Sequence, residues 1–342
     1  MSESVPKAIL YVWPTSVWST VPRLCLMEKG YSSDEYITKF VDIGKGENFA
    51  PSYLRINHYG TIPTLVVPTL ETTSAEVETR YRSLKDTVTI CDFLDRSRNA
   101  TSKLERPAPA LQPATIEGKS LSDQIINLVH KSDVDPNFLN MSASDKAELH
   151  KKALARPGKI LRDRKAAFAM YIAEAKEQAG DSGAPSFEGK IVAFLVEKSE
   201  ANDAMYGLYF GKDNDEQLEV FFNLCRSTWK EKLPAALNEL EAAIKGPYTL
   251  GDQISLSDLH LVSWLTRVVS VAGGEPTVAG IAELEKRLEG YRLGPKLRTF
   301  YQAWTERESF KEILVPANVD FLKFSGYLDK NPALGRDRMT RG

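Results

Sequence analysis

The strand-forming segments of this chain are confined to about the first 95 of its 342 residues. Runs rich in β-branched and aromatic residues predict the strands, and the spacing of apolar residues around them predicts two helices. The predicted strands lie at 7–13, 36–43 and 61–67 with a hairpin over 68–84, and the predicted helices lie at 21–29 and 85–96. This order is typical of a mixed sheet flanked by helices, that is, of an α/β domain.

The remainder of the chain has almost no strand pattern. Residues 98–118 are polar and rich in proline, which predicts a linker between a first domain at 1–97 and a second at 119–325. Apolar residues recur at helical spacing in the second domain, so it is predicted to be all-helical. Residues 326–342 are polar, and we expect them to form a C-terminal tail.

Charge and composition argue against several functions. The net charge is −2 at pH 7, so the chain as a whole does not attract nucleic acid or an anionic membrane. No apolar run approaches the ~20 residues that span a bilayer, and the first residues do not have the pattern of a secretory signal. We therefore expect a cytoplasmic protein. The three cysteines and four histidines are scattered, which argues against a disulfide framework or a metal site.

One segment of the second domain is dense in cations. Lysine, arginine and alanine dominate residues 146–176, a composition that also occurs in arms that bind nucleic acid. Aspartate and glutamate are interleaved with the cations, so we expect a solvated helix face and no nucleic-acid partner.

Three motifs resemble those of the glutathione transferase superfamily. NHYGTIPTLVV (Asn57 to Val67) is similar to the family's Asn-Pro-x-x-x-(Ile/Val)-Pro-x-Leu segment, with His58 where proline is usual. LKDTVTICDFL (Leu84 to Leu94) is similar to its Glu-Ser-x-x-Ile helix start. YTLGDQISLSDLHLVSWL (Tyr248 to Leu265) resembles the Gly-Asp-x-x-(Ser/Thr)-x-x-Asp element of its helical domain.

The resemblance implies the glutathione transferase fold: a thioredoxin-like N-terminal domain that binds glutathione, followed by an all-α domain. It covers most of residues 7–97 and 215–310 and points to cytosolic, serine-type members of the fungal, delta, theta or omega kind. Residues 132–200 match no part of the family pattern, so we expect an insertion that enlarges the helical domain.

The third motif also has a structural explanation of its own. Ser255 and Asp258 have the spacing of a capping box, in which each side chain bonds a backbone amide at the start of a helix. Ile254 and Leu259 flank this cap as a hydrophobic staple. We interpret the motif as a device for folding rather than for catalysis.

The resemblance implies a catalytic serine between the first strand and the first helix. Counting back from Gly30, which ends that helix, places Ser16 at the family's catalytic position, and Ser19 is the runner-up. A hydroxyl at a helix N-terminus can donate to the glutathione thiolate and lower its pKa. The alternative is that these hydroxyls only cap the helix. Cys25 lies within the helix, and no cysteine occupies the loop, which favours conjugation over disulfide exchange.

The cysteinyl part of glutathione is expected at the segment Thr61-Ile62-Pro63. The resemblance implies that Ile62 pairs its backbone with the tripeptide and that the bond to Pro63 is cis, a geometry essentially confined to proline. The alternative is a trans proline that opens a strand.

Four further residues are expected to bind glutathione or to border the pocket of the electrophile. The resemblance places Asp86 and Thr87 at the γ-glutamyl end, although capping of the helix they open is an alternative. Asn48 lies where related classes hold a polar residue for the glycyl carboxylate. Trp18 either borders the pocket of the electrophile or covers the start of the helix.

The activity expected from the resemblance is conjugation of glutathione to a small hydrophobic electrophile, without a metal or prosthetic group. Two alternatives stay open: a non-catalytic carrier of hydrophobic ligands that depends on glutathione, and an etherase or lyase that uses glutathione as its nucleophile. Relatives usually form homodimers, so a homodimer is expected here.

Overall fold

The computed structural model describes residues 6–68, 81–98, 108–179, 186–211 and 215–324. Most of the predicted hairpin, the middle of the predicted linker and the C-terminal tail at 326–342 lie outside these residues. Within them, strands occur in the first 84 residues, and the remainder is largely helical. The fold class predicted from the sequence is confirmed.

Four strands form one mixed sheet in the order β2-β1-β3-β4. They are β1 (Ala8–Val12), β2 (Tyr36–Phe40), β3 (Thr64–Pro68) and β4 (Tyr81–Leu84). The β1 and β2 strands are parallel, whereas β3 is antiparallel to both β1 and β4. Because Tyr11 is paired with Thr64 and Leu65 with Leu84, the end of β1, the start of β3 and the end of β4 lie at the same end of the sheet. We refer to this end, where the three strand termini meet, as the shared edge.

The helices of the N-terminal domain are α1 (Val17–Glu28), α2 (Pro51–Leu54) and α3 (Thr87–Ser97). The α1 helix begins four residues before the predicted start at 21. The prediction placed Pro22 in the first turn, where proline is tolerated best. Instead Ser16 caps the helix, and Pro22 lies in its second turn, where it removes one helical hydrogen bond.

Eleven helices follow among the described residues. They are α4 (Ile116–Val129), α5 (Pro136–Met141), α6 (Lys146–Leu154), α7 (Arg156–Ala179), α8 (Phe187–Phe210), α9 (Asp215–Ser227), α10 (Leu233–Ala243), α11 (Leu256–Val271), α12 (Ile281–Arg287), α13 (Pro295–Thr305) and α14 (Val315–Phe324). Every residue of α11 is buried, and this helix packs against α1 and α4. It is the axis of the core that joins the two domains. No described helix is both long and apolar enough to cross a bilayer.

The predicted capping box at the start of α11 is present. The Ser255 amide donates to Asp258 Oδ2 at 2.8 Å, and both side chains are buried. Ile254 and Leu259, the predicted staple, are also buried in the main core.

The stretch predicted as one helix at 144–179 is two helices. The chain leaves helical geometry at Ala155, and α7 restarts with Pro157 in its first turn, where the missing N–H has no helical partner to lose. Gly158 follows, and a Cβ there would lie 2.0 Å from the Ala153 carbonyl oxygen. Only glycine allows this close approach between the two helices.

The segment predicted as an insertion contacts the N-terminal domain. We refer to α7 and α8 together as the long hairpin. Phe49, which precedes α2, and Leu54, its last residue, pack into one apolar cluster with Phe168 of α7 and Leu195 of α8. Arg164 of α7 is partly buried and donates to the Ile43 carbonyl at 3.0 Å. The long hairpin is therefore packed directly on the N-terminal domain.

Candidate functional site

The predicted site residues converge because of the strand register. Ser16 follows the end of β1, Ile62 and Pro63 precede the start of β3, and Asp86 and Thr87 follow the end of β4. These three strand ends share one edge of the sheet. Two helices, α1 and α3, also begin at this edge, so their partial positive charges face the same region. The edge is thus suited to a small anion or a thiolate.

Ser16 caps the N-terminus of α1. Its Oγ accepts a hydrogen bond from the Ser19 amide at 3.4 Å, and the residue is 8% exposed. Because Oγ accepts from the helix, its own proton stays free to donate. Ser19 is fully buried, and its Oγ accepts from the Trp13 amide at 3.3 Å. Of the two serines, Ser16 is the one with a surface that a ligand can reach.

The Ile62–Pro63 bond is cis, as the motif predicts. Buried polar groups hold the preceding residue: the Thr61 carbonyl accepts from the Tyr53 hydroxyl at 2.7 Å and from Asn57 Nδ2 at 2.9 Å. Burial raises the pKa of Tyr53 to about 12, so its hydroxyl keeps its proton at neutral pH. The turn is therefore fixed before any ligand binds.

The backbone of Ile62 is free to pair with an extended peptide. Ile62 lies two residues before β3, beyond the last paired residue Thr64. Within the described part of the chain, its amide and carbonyl make no backbone hydrogen bond. An unpaired backbone donor and acceptor on one residue are the groups that pair with an extended peptide.

Asp86 and Thr87 begin α3, and Asp86 acts as its cap. The Asp86 carboxylate accepts from the Thr89 amide at 2.8 Å, which is the capping alternative weighed for this pair. Thr87 is 6% exposed and is the first residue of the helix. The contact of both residues with a γ-glutamyl group stays a prediction.

His58, which stands where the motif that this segment resembles has proline, connects the two loops of this edge. Its Nδ1 lies 2.8 Å from Lys85 Nζ, next to Asp86 in the chain. Slight burial and the charge of Lys85 lower the pKa of His58, so the ring is neutral and accepts from the ammonium.

Asn48 is buried behind the cis-proline loop. Its Nδ2 donates to the Gly60 carbonyl at 2.7 Å, and its Oδ1 has no partner among the described atoms. One proton of Nδ2 is thus used within the protein. The predicted bond from Asn48 to a glycyl carboxylate would need the second proton, and it stays a prediction.

Trp18 faces the helical domain. Its ring stacks on His130 with centroids 3.8 Å apart, and His130 Nε2 lies 2.9 Å from Nδ1 of the buried His260. Burial lowers the pKa of His130 to about 4, and burial also lowers that of His260. The sequence contains no signal for this pair, since the two histidines are 130 residues apart.

Two arginines that the sequence analysis did not select reach the loop of Ser16. Arg156, the first residue of α7, donates to Thr15 Oγ1 at 3.0 Å, and Arg267 of α11 donates to the Thr15 carbonyl at 2.9 Å. Arg156 belongs to the cation-rich segment predicted to be a solvated face, but burial lowers its pKa. The basic composition is visible in the sequence, but the inward direction of this side chain depends on the tertiary fold.

Residues 15–97 match the family model of the glutathione S-transferase N-terminal domain. Over 64 residues the chain is 42% identical to a tetrachloro-p-hydroquinone reductive dehalogenase of Sphingobium chlorophenolicum. That alignment covers 18% of this chain and 25% of the dehalogenase, so the chain matches about a quarter of its relative's length.

The chain is also similar to solved structures over most of its length. The β-etherase LigF of Sphingobium sp. strain SYK-6 is 16% identical, with 90% of this chain and 99% of that chain covered at a TM-score of 0.52. Gtt2 of Saccharomyces cerevisiae is 15% identical, with 89% and 99% covered at a TM-score of 0.48. The likeness to LigF shows a shared fold.

Proposed function

We propose that this chain, whose residues 15–97 match the N-terminal domain of the glutathione S-transferase family, is a member of that superfamily and conjugates the thiolate of glutathione to a small apolar electrophile. The observation that carries the proposal is the shared sheet edge. It brings together Ser16, the cis Ile62–Pro63 peptide and the start of α3.

The hydroxyl of Ser16 would stabilise the thiolate. A cysteine-like thiol has a pKa near 8.5, so only a few per cent is ionised at pH 7. Lowering that pKa by ~2 units requires about 2.7 kcal/mol of preference for the charged form. One hydrogen bond to an anion contributes about 1.5–3 kcal/mol, and the N-terminus of α1 adds to it. The two contributions together reach the required magnitude.

The remaining contacts would hold different parts of the tripeptide at different loops of the same edge. The free backbone groups of Ile62 would pair with the cysteinyl residue, next to Thr61 and Pro63. Thr87 and the amides at the start of α3 would hold the γ-glutamyl carboxylate, with Asp86 near the ammonium. Asn48 would approach the glycyl end, and Trp18 would border the site on the side of the helical domain.

The reaction follows from these positions. The thiolate sulfur attacks an electrophilic carbon, a carbon–sulfur bond forms, and the leaving group departs with its electron pair. The proton lost from the thiol passes to solvent. This scheme needs no metal or redox partner. A glutathione-dependent carrier or an etherase would use the same thiol site, so both alternatives are outcomes of the experiment below.

The test is retention on immobilised glutathione, followed by turnover of an aryl chloride activated by nitro groups. We expect binding and conjugation by the unaltered protein. Ser16→Ala should lower kcat by about 10- to 100-fold, the equivalent of one hydrogen bond to an anion. Ser186→Ala is the matched control because Ser186 caps α8 through the Gly189 amide at 2.9 Å. It removes a serine cap away from the sheet edge.

The outcomes separate the candidate functions. Retention without turnover of aryl chlorides or aryl ethers would favour the carrier, whereas cleavage of an aryl ether alone would favour the etherase. If the protein does not bind glutathione at all, the transferase, the carrier and the etherase functions are all contradicted. The proposed homodimer is tested separately by size exclusion with light scattering.

A further inference from the structure

Two guanidinium groups from different helices meet at one residue beside the proposed nucleophile site. Arg156 Nη2 and Arg267 Nη1 donate to the side chain and the carbonyl of Thr15, at 3.0 and 2.9 Å. Thr15 directly precedes Ser16, the cap of α1. Two positive charges and the positive end of a helix are therefore gathered at the same loop.

No carboxylate neutralises this pair within the described part of the chain. Neither arginine forms an ion pair there, and Asp42, the acidic group that acts on Arg156, bonds the Gly44 amide and Lys45 instead. Burial and the charge of Arg156 lower the pKa of Arg267 to about 9. Two like charges held at one loop, with Arg267 buried and Arg156 partly buried, are unfavourable unless an anion compensates them.

One donor of the pair has no partner among the described atoms. Nη2 of Arg267 is buried and forms no hydrogen bond to any described atom, while Nε of the same group donates to Asn318 at 2.8 Å. Arg267 is only 4% exposed. A buried N–H of a charged group is nearly always satisfied in a native protein, so the free Nη2 points to a missing acceptor.

The surroundings of the pair are aromatic. The Arg267 guanidinium lies 4.2 Å from the ring centre of Phe321, and that of Arg156 lies 5.3 Å from the ring centre of Phe324. Both phenylalanines belong to α14, at the side of the core formed by α11. An anionic group bound here would have apolar surface beside it.

We propose that Arg156 and Arg267 bind the carboxylate of the second substrate, which is therefore an apolar, aromatic acid rather than a neutral electrophile. This inference rests on the proposed function. The carboxylate accepts from the free Nη2 of Arg267 and from Arg156, and the reacting carbon lies towards Ser16. Arginine suits this role because its planar group presents several donors to one carboxylate.

The experiment compares two electrophiles that differ in one substituent, the charged carboxylate of 4-chloro-3,5-dinitrobenzoate and the neutral amide of 4-chloro-3,5-dinitrobenzamide. Both lose chloride when the thiolate attacks the ring. After correction for the uncatalysed rates, we expect kcat/KM to favour the acid by at least about 10-fold in the unaltered protein. Arg267→Met or Arg156→Met should abolish this preference and leave the KM for glutathione within about twofold.

A matched control lies on the same helix. Arg162 of α7 donates to the Ala153 carbonyl and lies over the Phe210 ring, away from Thr15. Arg162→Met should keep the preference for the acid. Arg156→Met serves if the more buried Arg267 variant does not fold, since Arg156 is only partly buried.

Direct binding gives a readout that does not need turnover. Calorimetry with the glutathione conjugates of the two probes should show tighter binding of the carboxylate in the unaltered protein and equal binding in Arg156→Met. Equal kcat/KM for both probes in the unaltered protein would overturn the inference. So would an arginine variant that loses kcat/KM with both probes and has a raised KM for glutathione. The second result would mean that the arginines bind glutathione or only join the domains. Failure of both conjugates to bind would contradict the proposed function itself.

Discussion

At the scale of single residues, Asn57 supports the cis-proline turn from within. It is fully buried, and its Nδ2 lies within hydrogen-bonding distance of the Thr61 carbonyl, the Thr61 hydroxyl and Thr64 Oγ1, at 2.9, 3.1 and 2.9 Å. Asn57 makes no contact with a ligand in the proposed scheme. Its effect on binding is transmitted through the position of Ile62.

We expect Asn57→Ala to lower the free energy of unfolding by about 1–3 kcal/mol, because it removes a buried amide donor that lies within bonding distance of Thr61 and Thr64. It should also raise the KM for glutathione more than it lowers kcat, since the turn places Ile62 and not the sulfur. Urea denaturation and steady-state kinetics measure the two effects. The control is the exposed Asn238, which accepts from Tyr291, and Asn238→Ala should cost less than about 0.5 kcal/mol. Equal costs at both positions would contradict this role.

The cis-proline turn could be predicted from the sequence, whereas the contacts of the two arginines with Thr15 could not. The difference has a physical reason. The cis bond at Pro63 is implied by the resemblance of one short segment, Asn57 to Val67, to a family motif, and this segment is contiguous in the chain. The convergence of Arg156 and Arg267 on Thr15 joins three separate parts of the chain. No local pattern contains such a contact, so it could be found only in the folded structure.

At the scale of elements, the fully buried α11 depends on Asp258. This carboxylate is completely buried and accepts from the amides and hydroxyls of both Thr249 and Ser255. Burial raises the pKa of Asp258, which means that the hydrogen bonds compensate only part of the desolvation. The network connects the loop before α11 to its first turn.

We expect Asp258→Ala to destabilise the protein by about 3–5 kcal/mol, because four donors lose their buried acceptor. Asp145→Ala removes an exposed cap of α6, where Asp145 accepts from the Glu148 amide at 2.8 Å, and should cost about 1 kcal/mol. Thermal unfolding of the two variants measures the difference. Similar shifts in Tm would show that the buried network adds nothing beyond an ordinary cap.

Helical periodicity predicts the existence of elements better than their packing. The pattern at 144–179 continues through Ala155, so it predicts one helix where the structure has two. The contact of Phe168 with Phe49 is likewise not contained in the pattern, because an apolar stripe identifies a buried face without identifying its partner. The domain boundaries predicted from the sequence stay predictions.

At the scale of the whole molecule, histidines join the two domains. Trp18 of α1 stacks on His130, which follows α4, and His130 is paired with His260 of α11. The folded state lowers the pKa of His130 to about 4, below the value of about 6.5 expected in an unfolded chain. Between these two values the unfolded chain binds more protons, so the free energy of unfolding decreases as the pH falls.

From pH 7 to pH 5 we expect His130 alone to remove about 2 kcal/mol of stability. His130→Gln cannot titrate, so the variant should lose about 2 kcal/mol less than the unaltered protein over this interval. Urea denaturation at the two pH values provides the measurement, with His150→Gln at an exposed position of α6 as the control. The same dependence on pH in all three proteins would exclude His130 as its origin.

The long hairpin has a consequence for recombination of this protein with its relatives. A hybrid that takes only residues 1–97 from this chain would carry Phe49 and Leu54 without the surface that covers them, and the reciprocal hybrid would expose Phe168 and Leu195. A crossover in the linker therefore divides a shared apolar surface. The exchangeable module of this protein is the first domain together with the helices that cover it.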